Sequence, residues 1–154
     1  MKNYSSLIFL LLTVFSCGTK TNLSTDAFIA ETEKNVSKID ANKDLKETET
    51  EGALTDKEGF KDVGTFKYYV IFDENSEELS KIKNIEITNK TITETYYFLD
   101  NKLFFITSEL ANTPIKKIYI HNKRVVAKEH VNLEEEKLLL DKANRFQKAF
   151  KKAH

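Results

Sequence analysis

Thr91-Ile92-Thr93-Glu94-Thr95-Tyr96-Tyr97-Phe98-Leu99-Asp100-Asn101-Lys102-Leu103-Phe104-Phe105-Ile106 is the stretch on which the architecture turns. A run of Thr, Tyr and Phe, residue types that suit a pleated and half-buried surface, leads into Asp-Asn-Lys and then into a second apolar run. Asn tolerates the positive φ that a tight hairpin imposes on its turn, so the segment reads as strand, two-residue turn, strand.

Working outward, Thr88-Asn89-Lys90 and His121-Asn122-Lys123 have the same look, and strands are expected near 66–72, 82–88, 91–99, 103–110, 116–121 and 124–130. Phe98-Leu99-Asp100-Asn101-Lys102-Leu103-Phe104-Phe105 and Tyr119-Ile120-His121-Asn122-Lys123-Arg124-Val125-Val126 recur at a spacing of 21 residues. Two copies make a repeated hairpin, whereas a solenoid needs at least three units. Tyr96-Tyr97-Phe98-Leu99-Asp100-Asn101-Lys102-Leu103 resembles the Tyr-Tyr-Phe-x-Asn-Gly-Lys-Leu hairpins of MORN-like sheet proteins. The glycine of that pattern is missing, and the resemblance implies a hairpin and no function.

Side chains alternate between the faces of a strand, so two-residue turns fix which residues share a face. Ile85, Ile87, Ile92, Tyr96, Phe98, Leu103 and Phe105 are expected to form the core face. Glu86, Thr88, Thr91, Thr93, Thr95, Tyr97, Leu99, Phe104 and Ile106 are expected on the other. Only a three-residue loop would overturn this assignment. Past the strands, Asn132 followed by Glu135 makes a capping-box start, Glu134–Glu136 crowd the first turn, and Lys148, Lys151 and Lys152 crowd the last. Leu139, Ala143, Phe146 and Phe150 recur at helical spacing as an apolar stripe that should lie on the core face. The expected fold is α+β: an antiparallel meander of about six strands with a C-terminal amphipathic helix, occupying residues 61–154.

From Gly18 to about Phe60, Thr, Asn, Ser, Lys, Asp and Glu dominate, and residues 17–60 read as a polar tether. Phe28, Ile29, Val36 and Ile39 are the exception, and a short helix docking them on the domain is the alternative. Residues 1–16 have the layout of an export signal, with Lys2, an apolar run over Leu7–Phe15 and the small Ser16. Val14-Phe15-Ser16-Cys17 resembles the lipobox of bacterial lipoproteins, similar to the loose lipoboxes of Bacteroidota. The resemblance implies cleavage between Ser16 and Cys17 and a lipid on the Cys17 sulfur, with multiple acyl chains holding the protein to a membrane. Without an acidic run after Cys17, it further implies the periplasm-facing leaflet of the outer membrane. Ordinary secretory cleavage after Ser16, with a free thiol, is the competing reading. Cys17 is the sole cysteine of 154 residues, so no intrachain disulfide can form.

Composition excludes more than it assigns. Net charge is zero, and residues 63–154 carry 16 Lys and Arg against 13 Asp and Glu, too even a balance for a nucleic-acid footprint. Asp73-Glu74-Asn75-Ser76-Glu77-Glu78 lacks the glycine and the closing bidentate acid of a calcium loop, and it reads as a solvated connection. His121, His130 and His154 have no zinc-ligand spacing, and no metal, cofactor or catalytic residue is expected. The functional expectation is a non-enzymatic cell-envelope lipoprotein. It would be held to the membrane by its anchor and bind a protein or envelope component through Tyr97, Leu99, Phe104 and Ile106 on the second sheet face. Two covers compete for that apolar patch: a partner, or the segment around Phe28, Ile29, Val36 and Ile39 folded back. A small-ligand carrier or enzyme with a pocket between sheet and helix is the alternative function.

Overall fold

The structure is a computed structural model that describes residues 24–154. The expected signal, the lipobox, Ser16 and Cys17 lie outside the described residues. Seven strands, β1 (Lys46–Thr55), β2 (Asp62–Asp73), β3 (Glu78–Ile87), β4 (Thr91–Leu99), β5 (Lys102–Leu110), β6 (Lys116–His121) and β7 (Arg124–Glu129), pair in sequence order as one antiparallel sheet. Helix α1 (Thr25–Ala41) precedes them and α2 (Leu133–Ala153) follows. This is the α+β meander with a C-terminal helix read from the sequence, with one more strand and one more helix. Neither helix is long and apolar enough to cross a membrane.

Capping accounts for both helix starts. The Ser24 hydroxyl accepts from the Ala27 N–H at 3.2 Å, and Asn132 and Glu135 form the reciprocal capping box anticipated from their spacing. Leu139, Ala143 and Phe150 are buried against the sheet, and Phe146 packs beside them. On the sheet side this core comprises Phe72, Leu79, Ile82, Tyr96, Phe98, Ile106, Ile118 and Ile120.

The expected tether is replaced over most of its length by structure. β1 pairs along β2 from Lys46↔Phe72 to Thr55↔Asp62, and α1 lays Phe28, Ile29, Val36 and Ile39 over Tyr97, Phe105 and Tyr119. The sheet is thus sandwiched between two helices, and the chain's own α1 covers the second face.

Two irregularities correct the expected facing. Ile87 pairs with Thr91, so Thr88-Asn89-Lys90 is a three-residue loop; Ile85 and Ile87 therefore sit opposite Thr93 and Thr91 on the α1 side, and Glu86 sits opposite Ile92 on the α2 side. In the next hairpin Asp100 and Asn101 form the two-residue turn, with φ of 49° and 57°. Phe98 then pairs with Leu103 but Tyr97 with Phe105, leaving Phe104 as a bulge. That extra residue sends Phe105 to the α1 side and Ile106 into the α2 core, the reverse of the expectation for both. The β6–β7 hairpin repeats the device, with Asn122-Lys123 in the turn and Val126 bulged between Val125, opposite Ile120, and Ala127, opposite Tyr119. Asp100 corresponds to Asn122, Phe104 to Val126 and Tyr97 to Tyr119, so the structural repeat has a spacing of 22 residues, not 21.

Candidate functional site

Strand alternation places Tyr68, Asn84, Glu86, Glu94 and Tyr96 together on the sheet face under α2, through the pairs Tyr68↔Asn84, Asn84↔Glu94 and Glu86↔Ile92. Glu94 is 4% exposed, deep enough that an unmatched charge there would be severely penalised. Its match comes from α2: Lys142 Nζ lies 2.8 Å from Glu94 Oε1, 3.0 Å from Oε2 and 2.8 Å from Glu86 Oε1. Asn84 Nδ2 donates to Glu86 Oε1 at 3.0 Å and to Glu94 Oε2 at 3.2 Å, and the Tyr96 hydroxyl donates to Glu94 Oε2 at 2.9 Å.

Titration follows from this geometry. Burial alone would lower Lys142, but hydrogen bonds to Glu86 and Glu94 and their charges raise it above its ordinary value. Burial would push Glu86 up, and the Lys142 contact with the Asn84 amide brings it below its ordinary range. Burial, then the Glu94 charge and hydrogen bond, pushes Tyr96 far upward. Lys142 and Glu86 each favour the other's ionised form, and no buried side-chain polar atom among the described residues lacks a partner.

Beside this network a groove of about 420 Å³ lies between α2 and the β1–β2 edge, lined by the apolar Leu54, Phe66, Tyr68, Phe146 and Ala149 and by the polar Asn84, Glu86, Lys142 and Arg145. Gly52 makes room for its floor. A Cβ there would stand 2.8 Å from the Phe66 ring, so the absent side chain lets the ring lie across β1. Tyr68 and Tyr96 pack on Phe146 with centroids 5.0 and 5.4 Å apart, fixing the wall, and burial raises Tyr68 to about 12. Arg145 is exposed and makes no ion pair among the described residues.

The residues expected to bind a partner are not a free patch. Tyr97 is buried beneath α1, where its hydroxyl donates to Asp40 Oδ2 at 3.1 Å while Lys81 holds Asp40 Oδ1 at 2.8 Å. Burial, then the Asp40 carboxylate, pushes Tyr97 upward. Phe104 packs in the same cluster, Leu99 stays half exposed, and Ile106 lies fully buried on the opposite face. The bulge at Phe104 is the physical reason that the four do not share one surface.

No spacing motif marks this network in the sequence. A signal was available: Glu94 alternates with Ile92 and Tyr96, and Lys142 stands between Leu139 and Phe146 on the apolar stripe. A carboxylate on a core strand face together with an ammonium on a core helix face points to an ion pair across the interlayer. No group of His, Cys, Asp and Glu suited to a metal occurs among the described residues. The chain matches no family profile, no curated protein and no solved structure.

Proposed function

We propose that the protein is a lipid-anchored, non-enzymatic binding module of the bacterial cell envelope, held through Cys17 at the periplasmic face of the outer membrane, and that it engages a protein partner in the groove beside α2. The observation that carries the binding site is that a preformed apolar trough, Leu54, Phe66 and Phe146, is also lined by Arg145, whose guanidinium has no ion pair among the described residues. Such a site suits an aromatic or aliphatic side chain next to a carboxylate on the partner, with Arg145 forking both carboxylate oxygens. The network supports a non-enzymatic reading: the one Lys142 ammonium is shared by the Glu86 and Glu94 carboxylates, so these three groups are engaged with each other and not with a substrate in the groove. A shallow trough open along the helix favours a protein segment over an enclosed small ligand.

The test is a photo-crosslinking amino acid at Ala149, an exposed residue of the groove wall, in cells of the source bacterium. One discrete protein adduct is expected, abolished by Arg145→Glu and by Phe66→Ser in variants that keep the wild-type circular dichroism. Adducts indifferent to both substitutions would remove the groove from consideration.

A further inference from the structure

A second cavity, of about 530 Å³, lies on the other side of the sheet between the first half of α1 and the ends of the β4–β5 and β6–β7 hairpins. Phe28, Leu99, Phe104 and Val126 give it apolar walls. Phe104 and Val126 are the two bulge residues, so the same irregularity in each repeat turns an extra side chain towards this space. At the rim, Leu99 and Val126 are 49% and 42% exposed, an apolar lip with no cover among the described residues. Lys102 lines the cavity together with Asp100 and Glu31, and Lys123 and Arg124 follow the lining residue Asn122 in the β6–β7 hairpin; the three basic residues are exposed and without an ion pair among the described residues.

Thr25, the first residue of α1, lines the cavity too. The chain between Cys17 and the Ser24 cap is residues 18–23, which reach at most roughly 25 Å when fully extended. If Cys17 is the membrane anchor, the reading on which this inference rests, the cavity mouth is confined close to the bilayer surface. The geometry points to a lipid site: the end of the domain bearing these two hairpin turns lies on the anchoring membrane, and the cavity admits an acyl chain of a bilayer phospholipid, with Lys102, Lys123 and Arg124 beside the head-group phosphate. Apolar side chains with Lys102 in the lining and Lys123 and Arg124 next to Asn122 in the neighbouring turn match the two chemistries that a phospholipid presents.

Cells expressing the full chain are fed a fatty acid carrying a diazirine and an alkyne, irradiated, and the protein is purified through the alkyne and mapped by mass spectrometry. A light-dependent adduct with the mass of a phospholipid is expected on peptides covering 25–35, 99–104 or 120–126. It should fall to background in Leu99→Asp with Val126→Asp, two exposed positions whose change should leave the melting temperature intact. If that pair fails to fold, Lys102→Glu with Lys123→Glu serves, and the adduct should fall there as well. No adduct on these peptides, adducts confined to the α2 groove, or a crosslink joining them to the chain's own N-terminal lipopeptide would each overturn the lipid site. The anchor is read separately from the unirradiated sample, where the acylated Cys17 peptide is present or absent. A cavity adduct with an unmodified Cys17 would sustain the lipid site while removing the anchor.

Discussion

Lys142 is the single side chain whose loss is expected to cost the most. Lys142→Ala leaves the Glu94 carboxylate buried with its cation gone, and breaking a buried pair on one side costs about 3–5 kcal/mol, read as a lowered urea midpoint at pH 7. The pH profile carries the sign. In the wild type Glu86 is depressed below its ordinary 4.5, so its contribution is present above pH 4.5 and disappears as pH falls through the lower folded value. Lys142 is raised above 10.5, so its contribution is present below pH 10.5 and disappears as pH rises through the folded value. Lys142→Ala removes the hydrogen bond and the charge that depress Glu86, so the loss of stability that the wild type shows as pH falls below 4.5 should shrink in that variant. Asn101 offers a second test. It holds φ of 57° in the turn, and its Oδ1 accepts the Leu79 N–H at 2.9 Å. Asn101→Gly keeps the backbone and forfeits the bond, whereas Asn101→Ala forfeits the bond and strains the turn. Losses of about 1–2 and about 2–4 kcal/mol are expected in thermal melts.

At the scale of elements, α1 acts as the cover of a finished sheet face. Ile29→Asp with Val36→Asp should undock it, lowering stability by about 2–4 kcal/mol and raising hydrophobic-dye binding as Tyr97, Phe105 and Tyr119 are uncovered. Tyr119, which burial and then the Glu129 carboxylate hold at about 12, should titrate closer to its ordinary 10 in that variant, measurable by tyrosinate absorbance. The elements legible in the sequence were those with a one-sided apolar pattern. α2 showed its stripe and its capping box, and the central hairpins showed β-branched and aromatic runs around Asn. β1 was hidden because Lys46-Glu47-Thr48-Glu49-Thr50-Glu51 alternates one polar type with another, as an edge strand with little to bury can. Its Glu49 and Glu51 meet Lys67 of β2 at 3.3 and 3.5 Å across the solvent face, a pattern that blunts the edge against pairing with other chains. The facing failed for a different reason: neither a three-residue loop nor a bulge leaves a mark in residue type, since Thr88-Asn89-Lys90 and Leu103-Phe104-Phe105 look like any other turn and strand.

Over the whole molecule, structure in residues 25–55 shortens the link to the proposed anchor to the few residues before Ser24. Metabolic labelling with a fatty acid is expected to mark the wild type and not Cys17→Ala, and equal labelling of the two would dispose of the anchor. A meander pairs each strand with the one just made, so the sheet grows by local contacts and should form quickly. α1 is the exception, because Asp40 reaches Tyr97 and Glu33 reaches Tyr119, partners that are synthesised long after it. Synthesis runs from the N-terminus, so the cover is made before the surface that it covers. Phe28, Ile29, Val36 and Ile39 must then wait uncovered until β6 and β7 have arrived, and that interval is when a chaperone would find this protein. Pulse-labelled hydrogen exchange during refolding should show the α1 amides protected after those of β4 and β5; simultaneous protection would mean that helix and sheet close in one step.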